Sequence, residues 1–289
     1  MELVLQIILA GAIGFWVSLG FYKIFYRYRT GKTIKAVPDE ERIYILRRYS
    51  EYEEDNISRK HYPEFVLGRP APKILQKYNY PAYCKTDPEN EDAIVFSMLD
   101  FVCDNFKHYS HAVTGGGSLE SVIKSCEKHE KKTNCRGLSI ILSELLRMNG
   151  IKARHITCKP YEEPFEDCHV VVDCLLPSGS RIMLDPTYRL YFTDDKGDYV
   201  SLRQLREDVI AGRTLHANKN ASYNGDTFDY DFYIGYMSKN LLRFNANYRL
   251  NNTDHVSTQI ELIPKGYSTD GYSKTLQYTT SPEYFWNMG

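Results

Sequence analysis

The chain has 289 residues, 43% of them hydrophobic, with 36 basic and 37 acidic side chains and a formal net charge of −1. That apolar share supports a sizeable core and excludes wholesale disorder, while the balanced charge removes the global positive field on which a dedicated nucleic-acid binder relies. Seven cysteines, an odd number without the dense spacing of a small secreted scaffold, point to reduced thiols and a reducing compartment.

From Leu3 to Tyr22 the chain reads LVLQIILAGAIGFWVSLGFY, with Gln6 as its only strongly polar side chain. About 20 helical residues cover roughly 30 Å, the thickness of a bilayer core. Glu2 precedes the run, and Lys23, Arg27, Arg29, Lys32 and Lys35 follow it. A cleaved signal peptide carries its basic residues on the other side. The expectation is therefore a single-pass transmembrane anchor over residues 1–22, in contact with the lipid bilayer, with the remainder of the chain in the cytoplasm.

Residues 23–90 mix charge with Tyr and Pro and read as a basic juxtamembrane stalk and N-terminal extension, with one helical stretch near Asp39 to Glu53. From Glu91 the apolar positions Ile94, Met98, Leu99, Val102 and Phe106 recur at helical spacing, so an amphipathic helix is expected there. A second helix is expected from Cys135 to Gly150. Asn134 is placed to cap its N-terminus, Gly150 to end it, and Leu138, Ile141, Leu142 and Leu145 form its apolar stripe. Cys135 shares that face in the first turn. There the unpaired N–H groups and the positive end of the helix dipole favour a thiolate and can also donate to an oxyanion beside the sulfur. The ordinary alternative is a buried cysteine acting as a small hydrophobe.

Two strands are expected next, Ala153 to Cys158 and His169 to Leu176, then a turn at Pro177-Ser-Gly-Ser180 and a third strand from Arg181 to Asp185, ended by Pro186. With Gly179 in the left-handed position of a three-residue loop, Leu176 faces Ser180 and Asp185 lies opposite Val171. His169 and Asp185 then share a sheet face about 7–8 Å apart, a diagonal that side chains close. A two-residue loop would put them on opposite faces. Asp185 itself is expected at an exposed strand edge.

These pieces, NCRGLSIILSELLRMNGIKAR, DCHVVVDCLL and IMLDPTYRLYF, resemble in order and pattern the transglutaminase-like superfamily of papain-type thiol enzymes. The tail segments NLLRF, IELIPKGY and SPEYFW are similar to those of membrane-anchored bacterial members without an assigned role. The resemblance implies an α+β fold: an N-terminal transmembrane helix followed by a transglutaminase-like core over residues 91–215, in which the cysteine helix packs on an antiparallel sheet, and a Tyr-rich C-terminal extension over 216–289. It also implies that Cys135 is the nucleophile, His169 the general base and then acid, and Asp185 the group that fixes the imidazole. The sequence departs from the family at one place. No Gln or Trp stands shortly before Cys135 to complete an oxyanion hole; the preceding residues are Lys128 to Asn134.

The implied function is a membrane-anchored thiol enzyme that acts on the amide or peptide bonds of a protein or peptide substrate through an acyl-enzyme, by hydrolysis or transamidation. The alternative is a non-catalytic binding or scaffold protein on the same fold. No cofactor and no nucleic-acid partner are expected. Cys158, Cys168, His169 and Cys174 crowd one stretch, but neighbours along a strand face opposite ways and no C-x2-C pair is present, so no metal site is expected either. His129 and His155 are assigned to the surface and the core.

Overall fold

The computed structural model of the chain describes residues 39–54, 63–84, 87, 89–112, 114–163, 165, 167–250, 259–269 and 276–288. The run from Leu3 to Tyr22 lies outside the described residues, and among these no helix is long and apolar enough to cross a membrane. The architecture is mixed α+β. Among the described residues seven helices run in chain order: α1 (Asp39–Arg48), α2 (Ala93–Asn105), α3 (Leu119–Lys128), α4 (Cys135–Met148), α5 (Leu202–Ala211), α6 (Tyr230–Asn240) and α7 (Pro282–Trp286). A six-stranded sheet holds β1 (Ala153–Lys159), β2 (His169–Leu175), β3 (Arg181–Leu184), β4 (Arg243–Asn247), β5 (Gln259–Leu262) and β6 (Gln277–Thr279), in the spatial order β6-β5-β4-β1-β2-β3. All neighbouring strands are antiparallel except β5 and β6.

The side-chain alternation of β2 divides two cores. Val172 and Cys174 face the stripe of α4, where Leu138, Ile141, Leu142 and Leu145 pack together with α2 and α3. Val171 faces the other way, onto a second core built from Ile156, Met183, Phe244, Leu262 and the apolar sides of α5 and α6. Helices thus cover both sheet faces, and the strands are buried almost throughout. The turn between β2 and β3 has the expected geometry: Leu176 N–H donates to Ser180 O at 2.8 Å, Gly179 N–H to Leu176 O at 2.9 Å, and Gly179 has φ of 92°. Val172 accordingly pairs with Leu184 and Cys174 with Ile182.

Two parts of the chain differ from the sequence expectation. Residues 63–84, read as part of a stalk, are packed into the protein. Two short 3-10 turns, Lys73–Tyr78 and Tyr80–Ala82, join at Asn79 in the left-handed conformation and bury Ile74, Leu75, Tyr78 and Tyr80. Their rings meet Phe101 of α2 edge-on. A 3-10 turn buries apolar pairs at a period of three residues rather than an extended stripe, so the stretch resembles a linker. Leu46 of α1 is likewise buried, and Arg206 of α5 fixes the chain after α1 by donating to Tyr49 O at 2.5 Å and Ser50 O at 2.9 Å. The C-terminal extension is also more than a cover. It supplies β4, β5 and β6, with Arg243 and Phe244 paired to Lys159 and Cys158, so the sheet is unfinished without it.

Candidate active site

Asn134 caps α4 as expected, its Oδ1 accepting from Gly137 N–H at 3.0 Å. Two further contacts hold that side chain: Thr114 donates to Oδ1 at 2.7 Å and Nδ2 donates to Ala112 O at 3.1 Å. Cys135 is the first residue of the helix, so its backbone N–H has no acceptor within the helix. The turn is tight. A Cβ on Gly137 would stand 2.0 Å from Thr133 Oγ1, which explains glycine here although its φ is ordinary for a helix. Farther along α4, Ser139 donates to Val170 O at 2.8 Å and ties the helix to the strand that carries His169.

His169 opens β2 opposite Cys158 of β1, and its Nε2 lies 2.6 Å from Asp185 Oδ2. With Nε2 turned to the carboxylate, Nδ1 is left to face the cleft that Cys135 also lines. Asp185 is completely buried and not at an exposed edge, because the chain turns back at Pro186 and α6 covers it. Its carboxylate is well supplied with donors. Tyr233 OH of α6 donates to Oδ2 at 2.9 Å and Thr187 N–H to Oδ1 at 2.9 Å, while Asp185 N–H donates to Leu190 O at 2.8 Å. The rings of Tyr188, Tyr233 and Tyr236 surround the imidazole edge-on at 6.1, 6.5 and 5.4 Å.

These contacts set the charges. Burial alone would lower the affinity of His169 for a proton, but the Asp185 carboxylate outweighs it and lifts the imidazole to about 10. For Cys135 burial acts in the opposite sense, raising the thiol, and hydrogen bonds from His108 and His169 together with their charge overcome it and bring the thiol down to about 6. A thiolate beside an imidazolium is the favoured form near neutral pH. Burial instead pushes the thiols of Cys103 and Cys168 up to about 12 and that of Cys126 to about 11, and holds Cys158 and Cys174 well above the ordinary range.

Cys135, His108 and His169 open onto a cleft of about 960 Å³ whose wall also includes Tyr188, Phe232 and Tyr236. His129 is exposed and bonded to Ser125 O at 2.8 Å, and His155 lies buried in β1; neither lines the cleft. Among the described residues no group of three or more His, Cys, Asp or Glu is placed to hold a metal ion.

The sequence reading missed two groups of the candidate site, His108, which lines the cleft with Cys135, and Tyr233, which donates to Asp185. His108 lies on the two-residue strand Lys107–His108, too short to leave a pattern. Tyr233 is one of 24 tyrosines and carries no local mark. One signal was available: Tyr223-Asn-Gly-Asp226 is an Asn-Gly hairpin, with φ of 53° at Asn224 and 96° at Gly225, and it packs against His108.

Residues 79–186 match the family model of the Transglutaminase-like superfamily, a segment that contains Cys135, His169 and Asp185. Among solved structures the chain is similar to a candidate cysteine protease from Cytophaga hutchinsonii, with 16% identity, a TM-score of 0.32, and coverage of 63% of this chain and 65% of that one. It is also similar to a candidate protease from Parabacteroides distasonis, with 15% identity, a TM-score of 0.29 and coverage of 58% and 30%. A third similar structure is a TGase, with 14% identity, a TM-score of 0.28 and coverage of 58% and 38%. The chain spans less than two thirds of each of these proteins. No curated protein matches it. The likeness to the transglutaminase-like superfamily is thus carried by residues 79–186, the segment that holds the cysteine helix and the strand of His169.

Proposed function

We propose that the chain is a membrane-anchored, cysteine-dependent enzyme acting on amide or peptide bonds of a protein or peptide substrate. The observation that carries this reading is the Cys135 thiol at the first residue of α4, on the same cleft as an imidazole that a buried carboxylate holds at 2.6 Å. In this reading His169 takes the thiol proton and the thiolate attacks the substrate carbonyl carbon. Negative charge gathers on the carbonyl oxygen, near the N–H of Cys135, which has no acceptor within its helix. His169 then protonates the leaving amine, the C–N bond breaks, and an acyl-thioester remains on Cys135. Water or a second amine, deprotonated by His169, releases the acyl group. Asp185 keeps the imidazole in the tautomer and orientation that both proton transfers need.

The test is acylation of the full-length chain by an activated ester. The expected result is one acyl group on Cys135 by mass spectrometry and none on a Cys135→Ala variant. A non-catalytic binding or scaffold protein on this fold would give no acylation of the parent chain. The anchoring part of the proposal rests on the apolar run Leu3 to Tyr22 and the basic residues after it, with the domain on the cytoplasmic side. Alkaline carbonate extraction of cell membranes is expected to leave the chain in the pellet; its release into the supernatant would remove the anchor.

A further inference from the structure

Attack by Cys135 on a carbonyl creates an oxyanion that needs donors, and the residues just before Cys135 offer no Gln or Trp to serve beside the backbone N–H. In the fold another segment arrives at this place. Lys107–His108 pairs in parallel with Lys132–Thr133, so His108 lies beside Thr133 and lines the same cleft wall as Cys135. The backbone of His108 is clamped by Asn224: its N–H donates to Oδ1 at 2.8 Å and its carbonyl accepts from Nδ2 at 3.1 Å. Its ring Nδ1 lies 3.0 Å from Tyr223 OH, and the two rings meet edge-on at 5.6 Å.

The partners of the two histidines differ in a way that separates their tasks. His169 is paired with a carboxylate and is set to take and return a proton. His108 is paired with a phenol. Burial raises the Tyr223 hydroxyl, which therefore stays protonated. With Nδ1 taken by the Tyr223 hydroxyl, Nε2 is the nitrogen left to face the cleft and any carbonyl bound there.

We propose that His108 is a further catalytic residue, whose Nε2–H receives the substrate oxygen together with the backbone N–H of Cys135 as the S–C bond forms. The carbonyl π pair moves onto that oxygen and returns when the C–N bond breaks, the amine leaving with the proton from His169; His108 keeps its own proton throughout. This assignment rests on the thiol-enzyme reading above. The hairpin of Tyr223 and Asn224 is then a support for one histidine, supplied by the C-terminal extension.

Two probes of one sulfur test it. Iodoacetamide alkylates Cys135 without forming an oxyanion, whereas p-nitrophenyl acetate acylates it through one, so the ratio of the two rates cancels any change in the thiolate population. The ratio is expected to fall about 100-fold in His108→Ala. It should recover at least about tenfold of that loss in His108→Gln, whose amide also donates, and fall roughly three- to tenfold in Tyr223→Phe. Should His108→Ala fail to fold, the other two variants decide. A ratio unchanged from the parent in the folded variants overturns the role of His108 and leaves the thiol-enzyme reading standing. A parent chain that alkylates but is never acylated overturns both.

Discussion

Replacing Asp185 with Asn is expected to lower acylation of Cys135 by about 10²- to 10⁴-fold while the protein stays folded. The amide keeps the shape of the carboxylate, and its oxygen can still accept from Thr187 N–H, the 2.9 Å bond that now reaches Oδ1. What changes is the proton at His169. An amide N–H turned towards Nε2 leaves the imidazole protonated on Nδ1, where it cannot take the proton of the thiol. Without the carboxylate the main offset to burial is gone, so the imidazolium is disfavoured and the Cys135 thiol rises from about 6. Alkylation at pH 6 should therefore fall by about tenfold or more. The unfolding cost should be modest, about 1–2 kcal/mol, because one hydrogen bond from Tyr233 or His169 is lost and no charge is left unpaired. Adding His169→Ala to Asp185→Asn should be scarcely worse than His169→Ala alone, since groups that act as a unit are not additive. Parent-like alkylation in Asp185→Asn, together with a clearly lower Tm, would make Asp185 a structural turn residue.

A second large effect is expected at Asp173, on the same strand as His169 but outside the cleft. This buried carboxylate receives Arg154 at 3.4 Å and also Arg181. Both guanidiniums hold the C-terminal helix. Arg154 donates to Phe285 O at 2.6 Å and lies 5.0 Å from the centre of the Phe285 ring; Arg181 donates to Trp286 O and lies 5.8 Å from the Trp286 ring. Asp173→Ala leaves the fully buried Arg154 without its counter-charge, a loss of about 3–5 kcal/mol. At roughly 2–4 °C per kcal/mol for a domain of this size, the Tm should drop by about 6–20 °C. Alkylation of Cys135 well below the new Tm should be unchanged. A thermal melt within about 2 °C of the parent would mean that the two arginines are not held by this carboxylate in solution.

The separation of these two effects follows from what the chain encodes locally and what it does not. The cysteine helix was readable because Asn134, the Leu138–Leu145 stripe and Gly150 mark its start, face and end within one short span. The pairing of His169 with Asp185 was readable because Gly179 fixes a loop length, and loop length fixes register. Long-range assembly was not readable in the same way. β4, β5 and β6 join the sheet far along the chain from β1, and nothing within Arg243–Asn247 names Lys159 as its neighbour. Helix α5 carried an unread sign, Ser201 with Gln204 three residues on, whose backbone N–H the serine side chain accepts. The burial of Asp185 and the placing of Tyr233 and His108 depend on α6 and the Tyr223–Asp226 hairpin folding back over the core. A single sequence gives no distance for such contacts.

The central claim is that Cys135 is a thiolate at neutral pH because His169 and His108 surround it. Labelling of the full-length protein with iodoacetamide from pH 5 to 9, followed by peptide mapping of all seven cysteines, tests it most directly. Cys135 is expected to label first, with a rate that is flat above a midpoint of about 6 and falls about tenfold per pH unit below it, as the thiolate is protonated. Cys103, Cys126, Cys158, Cys168 and Cys174, held protonated by burial, should stay unlabelled until much higher pH. Labelling of Cys135 no faster than Cys84, with a rate that climbs only above pH 8, would contradict the claim.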